Sequence, residues 1–280
     1  MKNLVVTADD FGAALEVNDA VLDAHRNGIL TAASLMVGAP FAADAVARAS
    51  ATPSLRVGLH LVLVDGRPVL PPDAVPELVD AKGDFRNDMA RAGAAMFFRP
   101  SVARQLEAEI AAQFEAFRAT GLPLDHVNAH KHFHLHPTVA SLMLSVGRRY
   151  GLKAARVPLE PADVLARIEP YRGSAVTAIT RPFARALRRR FVRAGIASPD
   201  AVFGVAWSGA MTAPRLKGIV QNLPDGLSEI YLHPATGAYV GAAPGYRYGE
   251  ERAALLDSGV IAATRFGDIR LGGFSDFPVH

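Results

Sequence analysis

Cysteine is absent from the 280-residue sequence, which excludes disulfides, thiolate metal sites, iron–sulfur clusters and cysteine nucleophiles. Any bound metal must therefore use histidine or carboxylate ligands. Long apolar runs are absent as well, because none reaches the roughly 18 residues of a membrane-spanning helix. The apolar start of the chain is too short for a signal peptide. We expect a cytoplasmic protein, with peripheral contact at the inner membrane as the alternative.

Internal repeats and low-complexity segments are also absent. The 24 glycines and 19 prolines show no fixed period, which excludes collagen-like and solenoid architectures. Half of the residues are hydrophobic and 20% are charged, a composition typical of a globular chain. The length fits one large α/β domain or two small ones, and we expect a single domain that spans residues 1–280.

Acidic residues are missing from residues 170–199, although the net charge of the whole chain is only +3. Seven arginines lie in that stretch, so the rest of the chain carries a net charge of −4. No zinc-finger, RNP or lysine-rich pattern accompanies them, and we expect no nucleic-acid partner. Within 181–193, Phe183, Leu187 and Phe191 recur every four residues and predict a basic amphipathic helix. Such a helix can lie on an anionic membrane, or it can be an outer helix of the fold with solvated arginines.

Short apolar segments alternate with helical patterns along the chain, which predicts repeated βα units and a parallel sheet. The predicted strands are 4–7, 33–36, 56–59, 127–129, 155–157, 202–206, 229–232 and 260–264. The predicted helices are 15–27, 41–49, 101–120, 138–150, 182–194, 214–222 and 250–256. Eight candidate strands favour an α/β fold of the barrel type. Two insertions, at about 64–100 and 158–200, interrupt the alternation of strands and helices. We expect them to cover the carboxyl face of the barrel.

Two adjacent carboxylates, Asp9 and Asp10, follow the first predicted strand. Parallel α/β sheets keep their sites at the carboxyl ends of strands, so this pair is a candidate for function. A turn or helix-capping pair is the alternative. Neighbouring side chains of an extended strand point in opposite directions, so one carboxylate can bind a metal while the other faces a substrate.

Histidines are concentrated in one short segment, where five of the nine lie within eleven residues: His126, His130, His132, His134 and His136. Their even spacing would place extended side chains on one face. A solvated histidine strip is the alternative, but it fits poorly after an apolar strand.

His60 ends the third predicted strand, where a hydrogen-bonded core histidine is the alternative to a ligand. Asp10, His60 and one histidine of the cluster could form a site with two nitrogens and one oxygen. Such a site suits Zn²⁺ or another divalent ion.

His233 follows the predicted strand 229–232, and Arg156 lies in the short predicted strand 155–157; for each a structural role is the alternative. Together with a metal and a carboxylate base, they would complete the set of groups that amide or ester hydrolysis needs.

The motifs resemble those of the YdjC-like carbohydrate deacetylases, in the same order and over nearly the whole chain. They are TADDFG at 7–12, GILTAASLM at 28–36, VGLHL at 57–61, the His130–His134 cluster and LHP at 232–234. The string HVNAHKHFHLHP at 126–137 is most similar to the hopanoid-biosynthesis-associated branch, the HpnK-type deacetylases. Where the common family pattern has Asp, His and Cys, this chain has Asn128, Lys131 and Leu232.

The resemblance implies a distorted, TIM-like (β/α) barrel of seven or eight strands. It also implies an enzyme that removes an N-acetyl group from a glucosamine-bearing substrate, which in that branch is a glycosylated hopanoid lipid. It implies that Asp9 is the base and His233 the acid for the departing amine. The implied ligands of one divalent metal, with Zn²⁺ favoured and Mg²⁺ as the alternative, are Asp10, His60 and His130. We assign Arg156, His132 and His134 to substrate binding or orientation. The alternatives are a deacetylase of soluble N-acetylated oligosaccharides, another barrel hydrolase or lyase, and a non-catalytic sugar- or lipid-binding barrel.

Overall fold

In the residues that the computed structural model describes, 1–171, 173, 175–266 and 268–277, seven parallel strands form one curled sheet. The strands are β1 (Lys2–Phe11), β2 (Ala32–Leu35), β3 (Arg56–Leu61), β4 (Val127–Ala129), β5 (Ala201–Phe203), β6 (Gly226–Leu232) and β7 (Ile269–Leu271). Their order across the sheet is β4-β3-β2-β1-β6-β5, and β7 pairs with the first residues of β1. This half-barrel confirms the predicted distorted (β/α) barrel class.

Helices cover the sheet and connect its strands. They are α1 (Leu15–Asn27), α2 (Ala42–Ser50), α3 (Met89–Phe98), α4 (Pro100–Ala119), α5 (Pro137–Arg149), α6 (Ala162–Ala166), α7 (Ala175–Arg193), α8 (Ala213–Gln221), α9 (Tyr248–Leu256) and α10 (Ser258–Phe266). Among the described residues, 3₁₀ turns lie at His130–Leu135 and Phe274–Asp276. No helix within the described ranges is both long and apolar enough to cross a membrane.

The inner strands are apolar without alternation because both of their faces are covered. Leu4, Val5 and Val6 of β1 are all completely buried. A parallel strand between helices and barrel interior has no solvent-facing side, so its sequence is a continuous apolar run. This is why the position of β1 could be predicted from short apolar segments.

Two predicted strands are wrong. Residues 260–264 belong to α10, where Val260 and Thr264 are buried four positions apart, which is a helical spacing. Residues 155–157 form no strand either. Isolated bridges instead join Val127 to Ala155 and Ala154 to Ala197, so this segment runs alongside β4 without a regular ladder.

The first insertion, 64–100, is held over the sheet by polar side chains of α4. The Glu109 carboxylate accepts hydrogen bonds from the backbone N–H groups of Val69 at 2.8 Å and Leu70 at 3.0 Å. The apolar stripe of α4 lies beside Glu109 and packs inward as its periodicity predicts, through Val102, Leu106, Ile110, Phe114 and Phe117.

The second insertion, 158–200, contains α6 and the basic helix α7, and two of its residues, Arg172 and Ser174, lie outside the described residues. The predicted apolar stripe of α7 is partly wrong. Leu187 and Phe191 are buried, but Phe183 is 54% exposed and Ala184 takes the inward position. The inward face thus follows positions 184, 187 and 191, the usual alternation of three and four residues.

Candidate metal centre and catalytic cleft

A cleft of about 930 Å³ opens at the carboxyl ends of the strands. Asp9 and Asp10 end β1, His60 lies near the end of β3, His130 follows β4 and His233 follows β6. All five line the cleft, together with residues of the first insertion. The curl of the sheet therefore gathers side chains that are far apart in the sequence.

Asp10, His60 and His130 present three ligand atoms to one point. The distance from Asp10 Oδ1 to His60 Nε2 is 3.3 Å, that from Asp10 Oδ1 to His130 Nδ1 is 3.2 Å, and the two nitrogens are 3.3 Å apart. Two ligands that lie about 2.0 Å from one ion in a tetrahedral arrangement are about 3.3 Å apart. Within the described residues, Asp10 Oδ1 is buried without a hydrogen-bond partner. The donor set and its spacing therefore fit a divalent metal ion.

A kink in β1 separates the two adjacent carboxylates. Asp10 has a φ of 62°, and the register between β1 and β2 shifts between Ala8 and Phe11. The predicted alternation of an extended strand is therefore wrong at this point. A bulge with a left-handed residue turns Asp10 toward the two histidines and leaves Asp9 facing Arg156.

Asp9 is clamped by Arg156 from across the sheet. Arg156 Nη1 donates to Asp9 Oδ2 at 2.5 Å, and Nη2 donates to Oδ1 at 3.0 Å. Burial acts to raise the pKa of Asp9, but the charge and hydrogen bonds of Arg156 outweigh it and hold that pKa below its ordinary value. Asp9 is thus an ionised carboxylate throughout the neutral range.

Glu229 is a site residue that sequence reasoning missed. Its Oε1 accepts hydrogen bonds from Arg156 Nε at 3.0 Å and from Thr7 Oγ1 at 2.8 Å. The Arg156 guanidinium also lies over the Tyr231 ring, 4.3 Å from its centroid. A glutamate inside the apolar strand β6 was the available signal, since an acidic residue is rarely buried unless it is paired.

The histidine segment is not extended, so the predicted one-faced strip is wrong. Lys131 and His132 have left-handed φ values of 52° and 54° inside the 3₁₀ turn. The ring of His132 consequently turns toward β6, where its Nε2 lies 2.9 Å from Tyr231 Oη. Burial and then the charge of Arg156 hold the pKa of His132 well below its ordinary value.

The remaining histidines of the cluster point elsewhere. His134 is completely buried, and burial lowers its pKa to about 3. Because a buried ring cannot contact a substrate, only the orienting role of His134 stays a prediction. His136 packs against Phe97, with ring centroids 6.1 Å apart. His126 lies in the interior between Asp125 and Ser34.

His233 lies on the β6 side of the cleft among aromatic rings. Its ring centroid is 5.8 Å from that of Tyr231 and 5.2 Å from that of Tyr246. The Glu251 carboxylate accepts the backbone N–H of His233 at 2.6 Å, which anchors the start of the following loop.

The three departures from the family pattern have distinct surroundings. Asn128 is fully buried and bonded to His60 and Asp9. Lys131 forms an ion pair with Asp65 at the rim of the cleft. Leu232 is a core residue at the end of β6.

Comparison with known proteins identifies relatives over the whole chain. The family model described as YdjC-like protein matches residues 3–265. A carbohydrate deacetylase of Geobacillus stearothermophilus is 30% identical over 279 residues, which cover 98% of this chain and 97% of that protein.

Shorter matches have higher identity. A carbohydrate deacetylase of Brevibacillus brevis is 39% identical over 156 residues, or 56% of this chain and 58% of that protein. A chitooligosaccharide deacetylase of Yersinia pestis is 35% identical over 153 residues, or 54% and 58% of the two chains. A crystal structure from Enterococcus faecalis V583, provisionally described as a cellobiose-phosphate cleavage protein, has a TM-score of 0.76 at 23% identity and covers 98% of both chains. That structure shares the fold.

Proposed function

The chain belongs to the YdjC-like protein family, and from this premise we propose that it is a metal-dependent hydrolase that removes the N-acetyl group from an N-acetylglucosaminyl substrate. The observation that carries the proposal is the convergence of a three-ligand metal site, an ionised Asp9 and His233 in one cleft. The names of the relatives, carbohydrate and chitooligosaccharide deacetylases, support the same reaction.

Asp10, His60 and His130 would hold the metal ion. Two imidazoles and one carboxylate favour Zn²⁺, whereas Mg²⁺ usually takes oxygen ligands. When bound, such an ion supplies Lewis-acid polarisation of the acetamide carbonyl and activation of water.

Asp9 is the proposed proton acceptor. Arg156 and Asn128 hold its carboxylate at a fixed orientation beside the metal ligands. The same hydrogen bonds make Asp9 a weak base, so it accepts a proton only from a strongly acidified water. A metal ion held by Asp10, His60 and His130 would supply that acidification. In this proposal Arg156 orients Asp9 directly, and His132 orients the Tyr231 side of the cleft. For His134 an orienting role stays a prediction.

His233 is the proposed proton donor to the departing amine. An amide nitrogen leaves poorly unless it is protonated as the C–N bond breaks, so the reaction needs an acid near the base. His233 lines the same cleft as Asp9, and its positive charge when protonated also favours the ionised form of Asp9.

Acetate release tests the reaction class. The purified protein should release acetate from N-acetylglucosaminyl substrates, and a chelator should abolish this activity until Zn²⁺ is restored. A non-catalytic binding barrel would bind the sugar without releasing acetate. A lyase or an unrelated hydrolase would convert the sugar by another route.

A glycolipid substrate, a glycosylated hopanoid by resemblance, is the more specific part of the proposal. One observation supports it: exposed aromatic side chains flank the segment that carries His130. Phe97 and Phe98 at the end of α3 are 56% and 76% exposed, and Phe183 on α7 is 54% exposed. Helix α7 packs against the 3₁₀ turn, and Phe97 contacts His136 just after it. Together with the exposed arginines of α7, these rings suit contact with an anionic lipid surface.

The alternative substrate is a soluble N-acetylated oligosaccharide. Turnover of a membrane-embedded N-acetylglucosaminyl lipid should exceed that of free chitooligosaccharides when both are compared as kcat/KM. The reverse order would favour the soluble substrate and remove the need for membrane contact.

A further inference from the structure

A chain of buried polar side chains runs through the half-barrel to the candidate catalytic residues. It begins at Asp125 and His126, just before β4, passes Ser34 on β2, and reaches Asn128 in β4. These four side chains are at most 5% exposed. Polar groups buried this deeply are costly unless every donor meets an acceptor, so the direction of each hydrogen bond can be worked out.

The donor and acceptor of each hydrogen bond can be assigned from Asp125 onward. Its carboxylate accepts hydrogen bonds from Phe274 N at 3.1 Å, Ser275 N at 2.9 Å and Ser275 Oγ at 2.7 Å. A carboxylate held by these donors must also be the acceptor for His126 Nδ1, 2.9 Å away. The proton of a neutral His126 therefore lies on Nδ1, and Nε2 is an acceptor.

The position of the proton on His126 also fixes the hydrogen bonds of Ser34. His126 Nε2 accepts the Ser34 hydroxyl hydrogen at 2.9 Å, so a lone pair of Ser34 Oγ is left for the Asn128 Nδ2–H group at 2.8 Å. The second N–H of Asn128 donates to Asp9 Oδ1 at 3.0 Å. Its carbonyl oxygen then faces His60 and accepts the Nδ1–H of that ring at 2.7 Å. His60 Nε2 is thereby left with its lone pair toward Asp10 and His130.

The His126 ring is held on two sides. A Cβ added at Gly58 would lie 2.5 Å from the ring atoms of His126, so only glycine allows the β3 backbone to come this close. On the other side the ring stacks on Phe274, with centroids 4.6 Å apart and an interplanar angle of 27°. A ring clamped in this way presents its two nitrogens in fixed directions.

Asn128 suits this chain of hydrogen bonds, whereas a carboxylate at the same position would not. An aspartate only accepts, so it could not donate to Ser34 or to Asp9, and it would place a second buried charge beside Asp9. The amide is the one group that donates on two sides and accepts on the third.

We propose that Asp125, His126 and Ser34 are positioning residues for the deacetylation, because they orient the Asn128 amide and, through it, the Asp9 carboxylate and the His60 ring. This inference rests on the proposed function for its catalytic part. Its structural part concerns His60 alone and can be measured on the protein without any substrate.

The test compares Ser34→Ala with Ser228→Ala. Both serines are buried in the sheet, but the Ser228 hydroxyl has no hydrogen-bond partner in the described part of the chain, so its removal is the matched control. The first measurement is the affinity for Zn²⁺ alone, by competition with a chromophoric chelator. The second is the tautomer of His60 in the metal-free protein, by long-range ¹H–¹⁵N correlation spectra.

We expect Ser34→Ala to bind Zn²⁺ roughly 10- to 100-fold more weakly than Ser228→Ala, the usual effect of removing a group that orients a metal ligand. The metal-free His60 ring should be the Nδ1–H tautomer in the parent protein and in Ser228→Ala, and a mixture of tautomers in Ser34→Ala. In acetate release, kcat should fall about 10-fold or more in Ser34→Ala while KM changes little. His126→Gln should reproduce this pattern.

Equal Zn²⁺ affinity and equal His60 tautomers in the two serine variants would overturn the proposal. A loss of kcat that only follows the loss of thermal stability would do the same. If the parent protein binds Zn²⁺ but releases no acetate from any substrate, the proposed function fails, and the affinity and the tautomer still decide the positioning role.

Discussion

Arg156 and Asp9 form a two-pronged ion pair in which neither side chain is more than 3% exposed. The pair joins the end of β1 to the segment after β4, 147 positions apart in the sequence. Because Arg156 also binds Glu229, one guanidinium pairs with two buried carboxylates. The charge of the candidate catalytic site therefore depends on a single residue.

Arg156→Lys should move the acid limb of the kcat profile to higher pH. Lysine keeps a positive charge but cannot make the paired hydrogen bonds, so the pKa of Asp9 should rise from its lowered value. A carboxylate stays ionised until the pH falls through its pKa. If the pKa of Asp9 is raised, its ionised form is lost at a higher pH as the solution is acidified. The measurement is kcat against pH for the two proteins.

Arg156→Met is the companion variant, and it should lose about 3–5 kcal/mol of unfolding free energy in urea because two buried carboxylates lose their partner. Acid limbs that coincide in the parent and the lysine variant would mean that Arg156 does not set the charge state of Asp9.

Replacing any one metal ligand should remove the metal. Asp10→Asn, His60→Ala and His130→Ala each delete one of three ligand atoms, and the remaining two bind an ion far more weakly. Metal content after dialysis against a weak chelator, measured by mass spectrometry, is the readout. His136→Ala is the matched control, since this histidine packs against Phe97 instead. Retention of metal by all three ligand variants at the parent's level would refute the site.

Asp9→Asn should keep the metal but lose turnover. The amide preserves the shape of the side chain but removes the proton acceptor and the charge that pairs with Arg156. General-base removal typically costs about 10²–10⁴-fold in rate. Metal content and kcat are measured on the same preparation. Turnover close to the parent's value, with the metal retained, would rule out Asp9 as the base.

His233→Ala should lose a similar factor on an N-acetyl sugar and much less on an activated acetate ester. The ester has a leaving group that needs no proton, so loss of the acid affects it little. The ratio of the two activities is the measurement. An equal loss on both substrates would mean that His233 serves binding or folding.

Exposed arginines of α7 should contribute to membrane binding. The variant carries glutamine at Arg181, Arg185, Arg189 and Arg193, all of them exposed, and leaves Arg188 in place because it bonds to Asp200. Each exposed arginine near an anionic surface contributes roughly 1 kcal/mol, so binding to phosphatidylserine vesicles should weaken by orders of magnitude. Cosedimentation at low and at physiological salt measures it, since salt screens the attraction.

The charge-matched control places glutamine at four exposed basic positions on other elements: Arg104, Lys217, Arg265 and Arg270. It should bind the vesicles nearly as the parent protein does. Equal weakening of the two variants would indicate a general charge effect without a specific surface on α7. Turnover of a short soluble substrate should be unchanged in both.

Much of the architecture was predictable because local physics dominates it. Buried parallel strands are continuous apolar runs, and α4 carries an apolar stripe that ends just before Gly121. Strand ends could therefore be located, and with them the chemical groups that reach the cleft. The errors arose where short segments are ambiguous, as at 260–264, where one apolar run is compatible with either strand or helix.

Tertiary structure decided which of those groups meet. The sequence alone determined that carboxylates and histidines end the strands, that no thiol competes for a metal, and that one helix is strongly basic. It did not determine that His130 turns to Asp10 while His126 faces Ser34, because left-handed residues at 131 and 132 redirect the chain without leaving a periodic pattern. Nor did it reveal Glu229 or Asn128 as partners of the site. Their contacts join residues 73 and 119 positions away, and only strand order and register bring such residues together.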